Sequence, residues 1–333
     1  MRCAVSSQDI QTGSFSDPIL LNHPTLKIKG QKTGLWAKQN ISLQARLFAF
    51  ALKILKMRSR FRRMIRNPPR SRRSFLPPYL SKSYKVDTLN ISSKMAVTFE
   101  KRGQVNNRHI IYLHGGAWMF EALKPHWNLA KEILDGSHCR MTMVDYPLAP
   151  EAHYKETLLM LENCYSILKE KYEEDSFILM GDSAGGNIAL AFTQKLILEE
   201  ITTLPSRLIL FSPCVDLTFT NPDIKKLEPL DFILSEDLVK FGANNYANGD
   251  NLEQHLLSPV NGDLHKLPET DIFYGTHEIL MPDILRFKAK AEESGASISF
   301  HEYEAMQHDW VLFPIPERQE VIHKVIGILD AMN

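Results

Sequence analysis

The sequence contains few cysteines and no long apolar run. Four cysteines occur in 333 residues, Cys3, Cys139, Cys164 and Cys214, and their spacing matches neither a zinc motif nor a dense disulfide framework. No stretch of about 18 apolar residues is present, so no transmembrane helix is predicted. The first residues, MRCAVSSQDI, lack the apolar core of a secretory signal. We therefore expect reduced thiols in a cytoplasmic protein.

Charge is distributed unevenly along the chain, although the formal net charge is zero. Residues 1–100 contain 19 Lys and Arg against 4 Asp and Glu, and the remaining residues contain 20 against 35. Such an asymmetry indicates a charged attachment or a surface that faces a membrane or a nucleic acid. Nucleic-acid binding is not expected here, because neither interleaved aromatic residues nor a known binding module accompanies the basic charge.

Residues 41–66 have the pattern of one basic amphipathic helix. At about 100° per residue, basic side chains fall on one face and apolar side chains on the other. The basic face contains Arg46, Lys53, Lys56, Arg60 and Arg63, and the apolar face contains Leu43, Leu47, Ala51, Ile54, Phe61 and Ile65. Pro68-Pro69 ends the pattern, because proline cannot donate a hydrogen bond within a helix. We expect this segment to be separable from the remainder of the chain.

From about residue 83, short apolar runs alternate with helical patterns. The predicted strands are Ala96–Glu100, Ile110–Leu113, Met141–Val144, Phe177–Met180, Leu208–Phe211, Ile272–Tyr274 and Ile298–Glu302. Helices are predicted near 124–135, 155–173, 185–199, 281–294 and 317–331. This alternation predicts an α/β fold, with a mostly parallel central sheet covered by helices on both faces. Residues 215–250 interrupt the alternation and are interpreted as a lid insertion.

The pentapeptide GDSAG at 181–185 fits the pattern G-x-S-x-G. An apolar strand, FILM, precedes it, and a helical stretch, NIALAFTQKLIL, comes after it. A sharp turn from strand to helix requires small neighbours and lifts the serine hydroxyl above the sheet at a helix N-terminus. The pattern therefore predicts Ser183 as a nucleophile.

A second glycine-rich turn, HGGAW at 114–118, directly follows the strand HIIYL. Two consecutive glycines allow backbone N–H groups to approach a ligand closely. We predict that the N–H groups of Gly115 and Gly116, with that of Ala184, form an oxyanion hole.

A serine hydroxyl needs a base, and the base needs a carboxylate to orient it. In chains with a strand–GxSxG–helix turn, the acid and then the histidine follow the serine. His308 follows the last predicted strand, where the base is expected. Glu278 and Asp283 both lie in the loop after the preceding strand. We favour Glu278, because Asp283 is also explained as a carboxylate at a helix start.

With these residues in place, the sequence resembles the hormone-sensitive-lipase-like family of α/β-hydrolases, in particular its bacterial carboxylesterases and lipases. The resemblance covers roughly residues 80–333. It rests on four ordered motifs: HGGAW at 114–118, YPLAPE at 146–151, GDSAGGN at 181–187 and SPVNGDLHKLP at 258–268. Two departures are Ala117, where many members have a third glycine, and Glu278, where the family usually has aspartate.

The resemblance implies an α/β-hydrolase domain at 81–333 and a basic helical cap segment at 1–80. It also implies that helix 41–66 packs over the mouth of the active site, with Leu47, Ala51 and Ile54 buried and the basic face directed outward. The family's YPLAPE loop shapes the floor of the active site.

The expected function is hydrolysis of carboxylic esters of short to medium acyl chain through an acyl-enzyme, with a triad of Ser183, Glu278 and His308. This chemistry requires no metal and no organic cofactor, and the expected partner is a small-molecule ester. Three alternatives stay open: a small-molecule receptor on the same fold, weak membrane-surface contact through helix 41–66, and a homodimer.

Overall fold

The computed structural model describes residues 41–70, 75–91, 93–103 and 105–332. An eight-stranded sheet lies at its centre, in the order β1-β2-β4-β3-β5-β6-β7-β8. The strands are β1 (Tyr84–Ile91), β2 (Lys94–Lys101), β3 (Arg108–Leu113), β4 (Arg140–Val144), β5 (Ser176–Asp182), β6 (Arg207–Phe211), β7 (Glu269–His277) and β8 (Ile298–Gln307).

Only β2 runs against the other strands of this sheet. It pairs antiparallel with β1 and β4, and every pairing from β4 to β8 is parallel. Parallel strands are buried on both faces, which explains why the central strands are apolar runs and do not alternate with polar residues. The carboxyl ends of β3, β5, β7 and β8 therefore lie along one edge of the sheet.

Helices cover both faces of the sheet. Two hydrophobic clusters form, one beneath α5, α6 and α9 and the other beneath α4 and α10. The described helices are α1 (Leu43–Ile54), α2 (Met57–Met64), α3 (Leu80–Ser83), α4 (Lys124–Ser137), α5 (Tyr154–Lys171), α6 (Ala184–Leu198), α7 (Ile224–Leu227), α8 (Glu236–Ala247), α9 (Met281–Ser294) and α10 (Pro316–Ala331). Among the described residues, no helix has both the length and the apolar character to cross a membrane.

The α/β interpretation of the sequence is confirmed. Each of the seven predicted strands and five predicted helices is present, with ends that shift by a few residues. Strand β1 was not predicted, because this edge strand pairs only with β2 and carries exposed polar residues, among them Lys85 and Asn90.

The prediction of one helix over 41–66 is wrong. Lys56 adopts a left-handed backbone conformation with φ +50°, so α1 ends at Ile54 and α2 starts at Met57. The predicted burial of Leu47, Ala51 and Ile54 is also wrong, because all three are exposed. The buried face of α1 consists instead of Ala45, Ala49 and Leu52. Small alanine side chains allow the helix to lie close to the body of the protein. Half of the predicted cap segment 1–80, residues 1–40, lies outside the described residues.

Helix α2 lies against the insertion at 215–250, which contains α7 and α8. The Arg58 guanidinium donates to the Glu228 and Asp231 carbonyl groups, and Arg62 forms an ion pair with Asp237. The guanidinium of Arg66 lies 5.6 Å from the ring centroid of Phe241. Helix α2 and the insertion therefore form one layer.

Candidate active site

Ser183 lies at a one-residue turn between β5 and α6. Its backbone has φ +51° and ψ −117°, a region that non-glycine residues rarely adopt. Its N–H donates to the Phe211 carbonyl at 2.8 Å. The turn also requires close packing, since a Cβ at Gly185 would lie 1.9 Å from the Leu113 carbonyl oxygen. The serine hydroxyl is thereby held at the N-terminus of α6.

His308 follows the last residue of β8 and meets this serine. Its Nε2 lies 2.9 Å from Ser183 Oγ, although 125 positions separate the two residues. Both side chains are buried. The hydroxyl can thus donate to a neutral imidazole, which is the geometry that general-base activation needs.

Glu278 completes a continuous hydrogen-bonded chain. His308 Nδ1 donates to Glu278 Oε2 at 2.7 Å. The other carboxylate oxygen accepts from the Gly275 N–H at 2.8 Å and from the Ser212 hydroxyl at 3.0 Å. Asp283 lies elsewhere and accepts from the Asn221 amide at 3.1 Å. Of the two candidate carboxylates, the structure brings only Glu278 to His308.

The loop after β3 corrects one predicted oxyanion donor. The Gly115 N–H donates to Asp182 Oδ2 at 2.9 Å, so it is not free to bind an oxyanion. Gly116 has φ +127° and Ala117 has φ +50°, and both residues line the cavity at Ser183. Neither backbone N–H donates to any described residue. The Ala184 N–H is likewise free, as expected in the first turn of a helix.

Asp182 is a residue of the site that was not predicted from the sequence, because the G-x-S-x-G pattern treats its position as variable. It is fully buried and also accepts from the Tyr112 hydroxyl. His126 Nε2 lies 3.4 Å from its Oδ2. Burial acts to raise the pKa of Asp182, but His126 and the Tyr112 hydroxyl act with His114 in the opposite direction and together hold that pKa below its ordinary value. The carboxylate therefore ties the glycine loop to both β3 and α4.

The YPLAPE segment contacts the same loop. The ring of Tyr146 stacks on His114 with centroids 4.5 Å apart, and its hydroxyl donates to the His114 carbonyl at 2.6 Å. Burial lowers the pKa of His114 to about 3, so this imidazole is neutral near pH 7 and serves packing. These contacts join the segment to the glycine loop, but none of residues 146–151 lines the cavity at Ser183, so its role in shaping the floor of the site stays a prediction.

Asp309 is the second residue at the site that was not predicted from the sequence. Its Oδ2 lies 3.1 Å from His308 Nε2, and 14% of its side chain is exposed. Its Oδ1 has no hydrogen-bond partner among the described residues. Burial raises the pKa of Asp309 to about 6. Burial favours neutral His308, but the carboxylates of Asp309 and Glu278 outweigh it, so the pKa of His308 is raised well above its ordinary value.

A cavity of about 260 Å³ opens beside Ser183 and His308. Its walls are mainly apolar and come from α2, the glycine loop, the insertion and the segment after β8; they include Phe61, Met64, Phe120, Leu234, Leu238 and Phe313. Ser183 and His308 therefore border an apolar cavity, and α2 and the insertion form part of the walls of this cavity.

Comparison with known proteins identifies the family of this chain. Residues 110–312 match the model of a protein family described as having the alpha/beta hydrolase fold. The chain belongs to the α/β-hydrolase family. It is 32% identical to an esterase of Acinetobacter venetianus over 228 residues, which cover 67% of this chain and 75% of the relative. It is 27% identical to an acetyl-hydrolase of Streptomyces hygroscopicus over 206 residues, or 62% and 69% of the two chains.

Solved structures give the same result for this hydrolase. A putative esterase from Staphylococcus aureus superposes with a TM-score of 0.71 at 27% identity, covering 86% of this chain and 92% of the other. An esterase of the bacterial hormone-sensitive lipase family superposes with a TM-score of 0.73 at 22% identity, over 88% and 98% of the chains. The resemblance inferred from the motifs is confirmed, and the chain is an α/β-hydrolase of the esterase and lipase type.

The first prediction concerns Asp309 and pH. Because His308 must be neutral to accept a proton, kcat/KM for a soluble neutral ester should rise with pH through a pKa above 6.5, the ordinary value for histidine. Asp309→Asn removes a negative charge next to Nε2 and should move this acid limb to lower pH by about one unit or more. The measurement is a pH profile of kcat/KM for both proteins.

Glu304→Gln is the control, because Glu304 is an exposed carboxylate on β8, the strand that precedes Asp309 in the chain. This variant should keep the wild-type profile. An acid limb at the same pH in the wild type and in Asp309→Asn would show that Asp309 does not act on His308.

Proposed function

We propose that this chain is a serine hydrolase that cleaves carboxylic esters of short to medium acyl chain through an acyl-enzyme intermediate. Ser183 is the nucleophile, His308 the base and Glu278 the orienting acid. The observation that carries the proposal is the buried chain from Ser183 Oγ to His308 at 2.9 Å and from His308 to Glu278 at 2.7 Å. A receptor of the same fold that does not hydrolyse its ligand would not require these hydrogen bonds between Ser183, His308 and Glu278.

In the first half of the reaction, His308 Nε2 removes the Ser183 proton as Oγ attacks the ester carbonyl. The oxyanion accepts hydrogen bonds from the N–H groups of Gly116, Ala117 and Ala184. Gly115 is omitted from this set, since its N–H is bound to Asp182. The imidazolium then donates its proton to the leaving alcohol, and the acyl group stays on Ser183.

In the second half, water enters where the alcohol left. His308 removes a proton from this water, and the resulting hydroxide attacks the acyl carbonyl. The same three N–H groups bind the second oxyanion. Collapse of the intermediate returns the proton to Ser183 Oγ and releases the carboxylic acid. Throughout, Glu278 keeps Nδ1 protonated and stabilises the imidazolium.

The cavity supports the proposed acyl length. Its volume of about 260 Å³ is below the range of about 300–1,000 Å³ that is typical of sites for drug-sized ligands. Apolar side chains dominate the walls, so an alkyl chain is favoured over a charged or sugar-like group. Phe61 and Phe120, with ring centroids 6.3 Å apart, narrow the space beside the glycine loop.

Replacement of the nucleophile tests the central proposal. Ser183→Ala should fold normally and lower kcat/KM on p-nitrophenyl butanoate by at least about 10³-fold, because the triad acts as a unit. A fluorescent organophosphonate should label the wild type and leave this variant unlabelled. Turnover near the wild-type rate in Ser183→Ala would refute the proposed nucleophile, and an unreactive wild type would favour the receptor alternative.

The assignment of the acid is tested by a pair of isosteric variants. Glu278→Gln loses the charge that accepts from His308 Nδ1 and should lower kcat by about 10³–10⁴-fold. Asp283→Asn, the matched control, alters a carboxylate that bonds Asn221 and should stay within a few fold of the wild type. The reverse order of activities would assign the role to Asp283.

A series of p-nitrophenyl esters tests the substrate class. We expect kcat/KM to be highest for butanoate to octanoate and to fall for hexadecanoate, because the longest chain exceeds the cavity. Phe61→Ala should shift the optimum to longer chains by opening the wall that α2 provides. A preference for hexadecanoate in the wild type would contradict the proposed acyl length while leaving the triad intact.

A further inference from the structure

Helix α1 is apolar on two opposite faces. The inward face packs on the body of the protein through Ala45, Ala49 and Leu52. On the outward side, Leu43, Leu47, Phe50 and Ile54 are 67%, 59%, 55% and 63% exposed. We call these four residues the outer stripe. Their spacing of four, three and four positions places them on one line along the helix.

Single exposed apolar residues are common on protein surfaces and need no explanation. Four large ones in one line on a helix of 12 residues form a contiguous patch. Packing against the body of the protein explains the apolar residues on the inward face of α1 but not those of the outer stripe. Patches of this kind mark surfaces that bind a partner or a membrane.

The charges around the outer stripe indicate which partner fits. Residues 41–70 contain nine Lys and Arg and no Asp or Glu. Arg62 and Arg70 form ion pairs with Asp237 and Glu151. The exposed side chains of Lys56, Arg60 and Arg63 form no ion pair with any described residue, although they follow the stripe directly in the chain. A large apolar stripe next to unpaired basic groups matches the interface of an anionic bilayer.

The outer stripe also lies on a helix that contacts one wall of the cavity. The ring of Phe48, on α1, lies 4.7 Å from that of Phe313, and Phe313 lines the cavity. The next helix contributes Phe61 and Met64 to the same walls, and Met64 is itself exposed. A partner or membrane surface bound to α1 would therefore lie close to the cavity at Ser183.

We propose that the outer stripe inserts into the headgroup region of an anionic bilayer, with Lys56, Arg60 and Arg63 contacting lipid phosphates. Bound in this way, the protein takes its ester substrate from the lipid phase. The second statement rests on the proposed esterase function, whereas bilayer binding does not depend on turnover.

Vesicle binding tests the proposal with the full chain carrying Ser183→Ala, so that hydrolysis cannot alter the lipid. The probes are vesicles of phosphatidylcholine alone and of phosphatidylcholine with one third phosphatidylserine. Cosedimentation should show binding to the anionic vesicles that weakens as salt increases, because screening reduces the attraction. No binding to the anionic vesicles at low salt would overturn the proposal.

Two double variants then separate the outer stripe from general surface hydrophobicity. Leu47→Gln with Phe50→Gln should weaken binding about tenfold or more, since two inserted apolar side chains are lost. Leu159→Gln with Leu198→Gln changes two equally exposed apolar residues on α5 and α6 and should bind as tightly as the parent. Equal losses in both variants would overturn the assignment to α1.

Two further measurements exclude other occupants of the outer stripe. If residues 1–40 covered the outer stripe, Leu47→Gln with Phe50→Gln would lower the midpoint of thermal unfolding by several degrees. If a second copy of the protein covered it, the same double variant would convert a dimer to a monomer in analytical sedimentation. Either result would overturn the proposal. When the double variants are made in the protein that retains Ser183, both should hydrolyse p-nitrophenyl butanoate at the wild-type rate. Loss of vesicle binding with full esterase activity would then show that the substitutions act on bilayer binding and not on the triad.

Discussion

The turn at Ser183 is the constraint on which the site depends. Strand β5 gives way to α6 at one residue held at φ +51°, a conformation that costs about 1–3 kcal/mol. Close packing on both sides of the turn holds it in place. The most severe contact is that of Gly185 with the Leu113 carbonyl, where any side chain would clash. Because this contact fixes α6 against the end of β3, it also sets the position of Ser183 relative to Gly116 and Ala117.

Asp182 extends this constraint to the glycine loop. A buried carboxylate is unfavourable unless its oxygens accept hydrogen bonds, and here the donors are the Gly115 N–H and the Tyr112 hydroxyl, with His126 beside them. This bond fixes the loop that contains Gly116 and Ala117, two residues that line the cavity and whose N–H groups donate to no described residue. Gly115, which the motif suggests as an oxyanion donor, thus holds in place the loop whose next two N–H groups we propose for that role.

The sequence was sufficient to predict the fold and to single out the three residues that the structure joins by hydrogen bonds, because their signals are local or ordered along the chain. A strand, GDSAG and a helix occur within about 25 consecutive residues, and His308 and Glu278 follow two further strands. The bond between Gly115 and Asp182 joins positions 67 apart, and no pattern indicates which N–H a carboxylate will occupy. The contact of Asp309 with His308 likewise depends on the left-handed backbone at φ +53°, which the sequence does not specify.

Helix α1 shows a different limit of prediction from sequence. A helical wheel identifies the face with large apolar residues and assumes that this face is buried. In the structure the inward face consists of two alanines, which allow close approach, and Leu52, whereas the large residues Leu47 and Ile54 are exposed. The wheel pattern carries no information about packing distance, so it assigned the buried side to the wrong face.

The two carboxylates at His308 contact different nitrogens of its imidazole ring. Glu278 bonds Nδ1 and Asp309 lies at Nε2, and both stabilise the imidazolium. In the proposed mechanism, the resting imidazole is neutral above the pKa of His308, so Asp309 would stabilise only the transition state, in which the imidazolium forms, and would raise the rate. Below that pKa the resting state is already imidazolium, so Asp309 stabilises the ground and transition states alike and the rate gains nothing. A carboxylate at Nε2 therefore increases activity at alkaline pH and moves the onset of activity upward, without changing the rate under acidic conditions.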